Sequence, residues 1–313
     1  MTNPSISILM PVYNTAPYLR EAVDSILAQT FRDFELIILD DCSSDESPAI
    51  LDTYTDERIV RYRGQKNVGI ANILNIGIEM ARGKYIARMD SDDISLPNRL
   101  QVQYDYLEHH PGCDLVSVAM QQFGVSNRLM QYDNSTEEMK FNALFFSPIL
   151  HASSMWRKER FKSLRFEQSY VPAEDYRMWT LALFNGLKMR NLPNVLYQYR
   201  IHERLVRDVS PVEKKIKSEY LKSIFQSISE EQLNAWCDLH EVAVNNPDQL
   251  LRYFQEMEKV NKERLFFEPK CFHQCYMRYY QALLYQSMRR NGINWNQLCR
   301  LRISQILKLL IRR

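Results

Sequence analysis

Acidic side chains gather at two turns in the first third of the chain: Asp40, Asp41 and Asp45 in LDDCSSD, and Asp90, Asp92 and Asp93 in MDSDD. Carboxylates packed this densely repel one another unless water or a cation lies between them. Hard divalent ions such as Mn²⁺ and Mg²⁺ favour oxygen ligands and commonly share one or two carboxylates with substrate phosphates. The plainer alternative is a polar turn ahead of a helix, where Asp and Ser are favoured for their own hydrogen bonds. The second turn directly follows the run KYIARM, in a region with another acidic strand end, and that favours a metal–nucleotide site. Cys271, His273 and Cys275 also have ligand-type side chains, but structural zinc usually takes four ligands, commonly as two separated pairs. On a helix Cys271 and Cys275 would share a face and His273 would point elsewhere, so ordinary packing is the simpler reading.

The elements that must present these turns follow from hydrophobic periodicity. Ile6–Val12 is an apolar run that predicts a buried strand, and Ala16–Gln29 predicts a helix with Leu19, Ala22, Val23, Ile26 and Leu27 on one stripe. A strand at Glu35–Asp40, a helix at Ser47–Tyr54, a strand at Ile59–Arg63, a helix at Ile70–Ala81 and a strand at Lys84–Met89 follow. Alternation of this kind predicts parallel βαβ units with helices on both faces of the sheet. Ligands of such sheets bind beyond the carboxyl ends of the strands. Those ends read PVYN after the first strand, LDDCSSD after the second and MDSDD after the fourth. The first turn has no glycine, which argues against a nicotinamide or flavin dinucleotide loop, and no Gly-x-x-x-x-Gly-Lys-Ser/Thr loop occurs. Phosphate charge must be met another way, and a carboxylate-held metal is the obvious candidate.

The totals bound the class. The 313 residues, 45% hydrophobic and 25% charged, have ordinary globular composition. A net charge of +2 gives no electrostatic case for nucleic-acid binding. The opening MTNPSISILMPVYN lacks a cationic flank and is interrupted by Pro11, so a strand is expected there rather than a signal peptide. No apolar run approaches the roughly 18 residues of a spanning helix. The cysteines are scattered rather than arranged as a dense disulfide framework, and the reducing cytosol is the simplest expected compartment.

The succession PVYN, LDDCSSD and NVGIANILNIGIEMARGKYIARMDSDD resembles family 2 glycosyltransferases of the GT-A fold, and HASSMWRKE, VPAEDYRMWTLAL and YQYRIHERLV resemble the acceptor half of that family in the same order. The resemblance runs from about residue 5 to residue 205. It implies an α/β, GT-A nucleotide-sugar-binding domain with a mostly parallel central sheet over residues 1–205; beyond it, residues 206–313 read as a helical region from their apolar spacing. It also implies an inverting, hexosyltransferase-type enzyme that moves a sugar from a nucleoside diphosphate donor, UDP-linked, to a hydroxyl of a glycan or lipid-linked glycan.

Roles follow by position. Pro11, Val12 and Asn14 match the first nucleotide-contacting loop, with Tyr13 available to lie against a base or ribose. Asp41 matches an acidic residue that resembles a uracil-recognising group, with Asp40 beside it, and Asn67 and Gly69 match the wall around nucleotide and sugar. Asp90 and Asp92 match the ends of the Asp-x-Asp motif around Ser91, with Asp92 the better candidate for direct contact with Mn²⁺ or Mg²⁺. His202 stands where many related sequences carry histidine, and neutral imidazole is a competent ligand for such metals. Asp175 matches the catalytic base and Glu174 is its rival; on a helix over Ala173–Phe184 the two would point about 100° apart. His151 is expected either to shape the acceptor side or to sit hydrogen-bonded in the core. Trp179 is expected either in the core or with an aromatic face to an acceptor sugar. Related sequences often carry Arg just before the position of Asn75; Leu74 stands there instead, which leaves open what cation assists the diphosphate.

The residue types suit the reaction. An acceptor hydroxyl is a poor nucleophile until a carboxylate takes its proton, and a divalent cation neutralises the departing diphosphate. Attack opposite to departure inverts the anomeric centre. A metal-dependent nucleotidyltransferase would typically carry a Gly-rich first loop. A non-catalytic nucleotide-sugar-binding module would not need Asp175 together with the acidic strand ends.

Helices are expected over Ser218–Ser227, Glu230–Val244, Pro247–Phe267 and Phe272–Arg290. From Arg289 to Arg313 the chain has seven cationic residues and no acidic one, and Cys299, Ile303, Ile306, Leu307 and Leu310 share one helical face. A helix at 294–313 would suit the surface of an anionic membrane, which places the protein in the cytoplasm at the inner face of the cell membrane. Packing against the protein itself, or against a second subunit in a homodimer, is the alternative.

Overall fold

The computed structural model describes residues 3–131, 134–202, 210–239 and 246–291. The chain divides into two units, one of Met1–Thr136 with Ser147–Glu213 and the other of Glu137–Phe146 with Lys214–Arg313. The first unit opens with β1 (Ile6–Val12), α1 (Ala16–Leu27), β2 (Phe34–Asp40), α2 (Ser47–Asp52), β3 (Ile59–Arg63), α3 (Ile70–Met80) and β4 (Tyr85–Arg88). These match the expected elements to within a residue or two at each end. β5 (Ile94–Ser95), α4 (Arg99–His109), β6 (Leu115–Gly124) and β7 (Leu129–Met130) follow; after α5 (Thr136–Asn142), which belongs to the second unit from Glu137 on, the first unit continues with β8 (Met155–Arg157), α6 (Glu174–Phe184) and β9 (Met189–Ile201).

One sheet in the order β3-β2-β1-β4-β8-β6-β9-β5 organises this unit, with β7 attached to β6. β1 pairs in parallel with both β2 and β4, and is buried at every position. A strand covered on both faces has no use for alternation, which is why its sequence reads as a continuous apolar run. α1 turns Leu19, Ala22, Val23 and Ile26 inward. α3 lies so close to the sheet that a side chain at Gly77 would meet Leu39 at 2.5 Å. The register sets Val12 beside Asp40 and Asp40 beside Arg63, so the turns after β1 and β2 leave the sheet at one edge. Leu9 pairs with Arg88, which brings the acidic turn after β4 to that same edge.

The sheet is continuously parallel from β3 to β4 and mixed beyond it. β8 runs antiparallel to both β4 and β6, β6 and β9 pair in parallel, and β5 runs antiparallel to β9. β9 carries the chain back, through Arg200 and Ile201, towards the acidic turn.

The second unit holds α7 (Ser210–Ile224), α8 (Glu230–Cys237), α9 (Pro247–Arg264) and α10 (Pro269–Asn291). α7 begins earlier than the periodicity predicts. Ser229 starts α8 with a reciprocal capping box to Gln232, which satisfies two otherwise orphaned backbone donors. The segment 137–146 packs here by aromatic contacts of Phe141 and Phe145 with Phe254 and Tyr279. Cys271 and Cys275 lie one helical turn apart with sulfurs at 3.9 Å, while His273 meets Glu258 and Tyr276. The expected tail helix at 294–313, Cys299, the expected boundary near 206 and the end of the helix expected at Glu230–Val244 lie outside the described residues.

Candidate active site

A cavity of about 240 Å³ opens at the edge where β1, β2 and β4 end, lined by Pro11, Val12, Tyr13, Asp41, Asn67, Gly69, Asp90, Ser91 and Asp92, with Ile70 and Ile73 of α3 as an apolar wall. Tyr13 stands at its rim, 51% exposed. Asp41 is buried, and its two oxygens accept from the backbone of Val68 at 2.8 Å and of Gly69 at 2.9 Å. That carboxylate therefore also folds the loop ahead of α3. Gly69 adopts φ +87°, where a Cβ would lie 2.5 Å from the Gln168 amide, so only glycine fits. Asn14 and Asp40 do not line the cavity. Asn14, itself at φ 54°, accepts from Ser44 and Asp45, and Asp40 accepts from Ser43 and pairs with Arg63. Both shape the loop after β2 that backs the cavity.

The acidic turn is charge-crowded. Burial, then the Asp90 charge, raises the pKa of Asp92, and the same causes with Asp92 added push Asp93 up as well. Asp93 faces inward and accepts from the Arg200 amide at 2.7 Å, so it belongs to the scaffold. Asp90 and Asp92 are half-buried. Asp90 is ion-paired with the buried Arg88, and Asp92 Oδ2 lies 2.8 Å from His202 Nε2. Arg200 holds the turn from outside, donating to the Asp92 carbonyl and pairing with Glu21 while lying over the Tyr18 and Phe123 rings. Among the described residues no three His, Cys, Asp or Glu side chains converge to hold a cation unaided. The donor set that does converge is two carboxylates with an imidazole against one of them. It fits an ion that completes its shell with phosphate oxygens.

On the other side, α6 presents Glu174 and Asp175 in its first turn, as expected. Asp175 is half-buried and accepts from Ser147 Oγ at 3.3 Å; burial raises its pKa to about 6. Glu174 is buried, its Oε2 finds no hydrogen-bond partner among the described residues, and burial together with Asp175 raises its pKa to about 7. The two point apart, as helical geometry requires. His151 accepts from Arg88 Nε at 2.9 Å, and burial followed by the Arg88 charge holds its pKa well below the usual imidazole value. Trp179 is fully buried among His151, Trp156, Phe161 and Phe166. An indole with no exposed surface has no face to offer an acceptor sugar; it supports His151 from within.

A carboxylate-rich edge beside a cavity, with a second carboxylate pair on a neighbouring helix, is the arrangement the sequence resemblance implied. The model of glycosyl transferase family 2 matches residues 7–170, more than half of the chain. The chain belongs to this family. It is accordingly a glycosyltransferase, an enzyme of the EC 2.4 class. An uncharacterised glycosyltransferase of Methanocaldococcus jannaschii is 32% identical over 65% of this chain and 73% of its own length. The Escherichia coli enzyme WfaP, a UDP-Glc:α-D-GlcNAc-diphosphoundecaprenol β-1,3-glucosyltransferase, is 29% identical over 70% of this chain and 86% of its own. Among solved structures, S. aureus TarS superposes with a TM-score of 0.61 at 18% identity, covering 93% of each chain, a likeness of fold.

Within the glycosyltransferase unit, sequence reasoning missed the residues that hold the turns rather than line them. Arg88, Arg99 and Arg200 carry no motif that singles them out, yet Arg88 and Arg99 are 1% and 0% exposed. The sequence signal for Arg88 was a cation at the end of a strand otherwise built to be buried. Leu74, at the position where related glycosyltransferases often carry Arg, is fully buried and does not line the cavity.

Proposed function

We propose that this glycosyltransferase transfers a sugar, with inversion, from a UDP-linked donor seated in the cavity between β1, α3 and the turn after β4. The observation that carries the proposal is that cavity itself: Pro11, Val12, Tyr13, Asp41, Asn67, Gly69, Asp90, Ser91 and Asp92 converge on it from four separate segments. Ile70 and Ile73 give a base or ribose an apolar surface, while Asp41 and Asn67 supply polar recognition. Asp90 and Asp92, with His202 against Asp92, would hold Mn²⁺ or Mg²⁺. When bound, such an ion supplies Lewis-acid neutralisation of the leaving diphosphate. Asp175 takes the proton of the acceptor hydroxyl: its raised pKa, about 6, keeps it ionised at neutral pH yet more basic than an ordinary carboxylate. Glu174 lacks the exposure to meet an acceptor. A lipid-linked glycan acceptor is supported by the relative WfaP, whose name specifies a diphosphoundecaprenol-linked substrate.

Purified protein incubated with a panel of UDP- and GDP-sugars and Mn²⁺ should slowly release nucleoside diphosphate, fastest with a UDP-sugar. Release that is equal for every base, or absent throughout, would overturn the donor assignment. Among the described residues no helix is long and apolar enough to cross a membrane. The proposal that 294–313 seats the enzyme on an anionic membrane, with self-association as its alternative, rests on the sequence pattern. Salt-sensitive binding to anionic liposomes that is lost on deleting 294–313 is the expected result. A full-length protein that ignores such liposomes at low salt and forms a dimer would favour the alternative.

A further inference from the structure

Arg88 is the last residue of β4 and is almost completely buried. Burying a guanidinium is costly unless its charge is paired and its donors are used. Nη1 donates to the carbonyls of Leu9 at 3.1 Å and Met89 at 2.7 Å, which ties the side chain to its own sheet. Anchoring the sheet ends would require no more than these two bonds. The remaining donors diverge: Nη2 pairs with the Asp90 carboxylate on the cavity side, and Nε donates to His151 Nε2 on the side of α6. A second buried arginine, Arg99, donates to the Arg88 carbonyl at 2.8 Å and stiffens the strand end from below.

The geometry points to Arg88 as a positioning residue that couples the two halves of the site, fixing the Asp90 carboxylate with one arm of its fork and the tautomer of His151 with another. This rests on the donor and metal assignment proposed above for its consequence in binding, but not for its structural content. Arginine has donors and no acceptor, so His151 Nε2 must present its lone pair, and the imidazole must be neutral with its proton on Nδ1. His151 Nδ1 is buried without a partner among the described residues, so nothing on that side selects the tautomer; Arg88 alone does. The rings of Trp179 and Phe166 hold the imidazole plane from its flanks. The Arg88 charge also acts on Glu174 and Asp175, lowering the proton affinity of both against the effect of burial. A lysine ammonium is a point donor and cannot fork to both partners.

Two measurements test this. Long-range ¹H–¹⁵N correlation spectra of the wild type should show His151 protonated on Nδ1, bare on Nε2, and unchanged between about pH 6 and pH 8, where a free imidazole titrates. Calorimetry of UDP binding with and without Mn²⁺ should show that Arg88→Lys loses roughly tenfold or more of the metal-dependent gain in affinity, the scale for removing a group that orients a metal ligand. Its metal-free affinity should remain at the wild-type level. A wild-type His151 protonated on Nε2 would overturn the inference whether or not Arg88→Lys folds. So would a folded Arg88→Lys with the metal-dependent gain and the Nδ1 tautomer both intact. If the wild type binds no nucleotide at all, the donor assignment fails instead, and the tautomers of wild type and Arg88→Lys still decide the role of Arg88.

Discussion

The two carboxylate pairs of this enzyme share a chemistry and are held in opposite ways. Asp90 and Asp92 leave the end of β4 and are met by cationic or hydrogen-bonding partners: Arg88 for one, His202 for the other. Glu174 and Asp175 start α6 with one hydroxyl, Ser147 Oγ on Asp175, and among the described residues no ion pair; burial raises both, and while it also raises Asp92, the His202 contact there works against it. A carboxylate that must stay charged to hold phosphate-bound metal is best surrounded by positive or donating groups. A carboxylate that must accept a proton gains basicity by losing water. The contrast teaches that environment, not residue type, separates the roles proposed for these four acids.

The largest effect should come from the desolvated pair. Asp175→Asn is expected to cut turnover by about 10²-fold or more while UDP affinity stays near wild type, the scale for a positioned base. In the wild type the rate should rise with pH through about 6, because the base works ionised and burial has raised its pKa to that value. If Glu174→Gln is the inactive variant instead, the roles within the pair are reversed.

Next comes the charge-anchored pair. Asp92→Asn should abolish the Mn²⁺-dependent gain in UDP affinity, since an amide poorly replaces a carboxylate beside two phosphates. Calorimetry with and without Mn²⁺ measures this. An unchanged gain would remove Asp92 from the metal site and leave the two pairs less distinct than proposed.

A smaller effect separates burial from charge anchoring in the stability of the fold. Burial, then the Asp175 charge, raises the Glu174 pKa in the folded protein from the ordinary 4.5 to about 7. Its native form therefore binds the proton more tightly than its unfolded form, and wild-type stability is lost as pH rises from the lower value through the higher. Glu174→Gln should gain on the order of 2 kcal/mol over wild type on going from pH 5 to pH 8. Urea denaturation at the two pH values reads this gain, and a difference that does not change with pH would mean that Glu174 is not desolvated.

An effect of similar size is expected in the loop that closes the cavity. Gly69→Ala should cost on the order of 1–3 kcal/mol, because its backbone lies in a region that only glycine occupies comfortably. The Asp41 carboxylate would lose its grip on the Gly69 amide, and UDP affinity should fall with the melting temperature. Retained affinity would show that the wall of the cavity tolerates a displaced loop.

Local pattern determined much of this protein. The apolar run of β1, the single stripe of α1 and the turns that end β1, β2 and β4 were legible because each depends on residues close in sequence, and a parallel sheet places such turns at one edge. The three acidic or polar turns of the cavity could be placed for that reason, whereas Asn67 and Gly69 were named through the family resemblance. Only the tertiary structure decided what lies beneath them. β9 must return along β6 before Arg200 can clasp the acidic turn and His202 can meet Asp92, and nothing local in YQYRIH encodes that register. Likewise only the fold decides between the two readings of Trp179, packing it into the core with Trp156, and Arg88 reads as one charge among forty Lys and Arg residues until burial leaves Asp90 as its only ion-pair partner among the described residues. Periodicity reports which face of an element is covered, but the partner that covers it is set by long-range pairing, and in this enzyme that pairing assigns the charges.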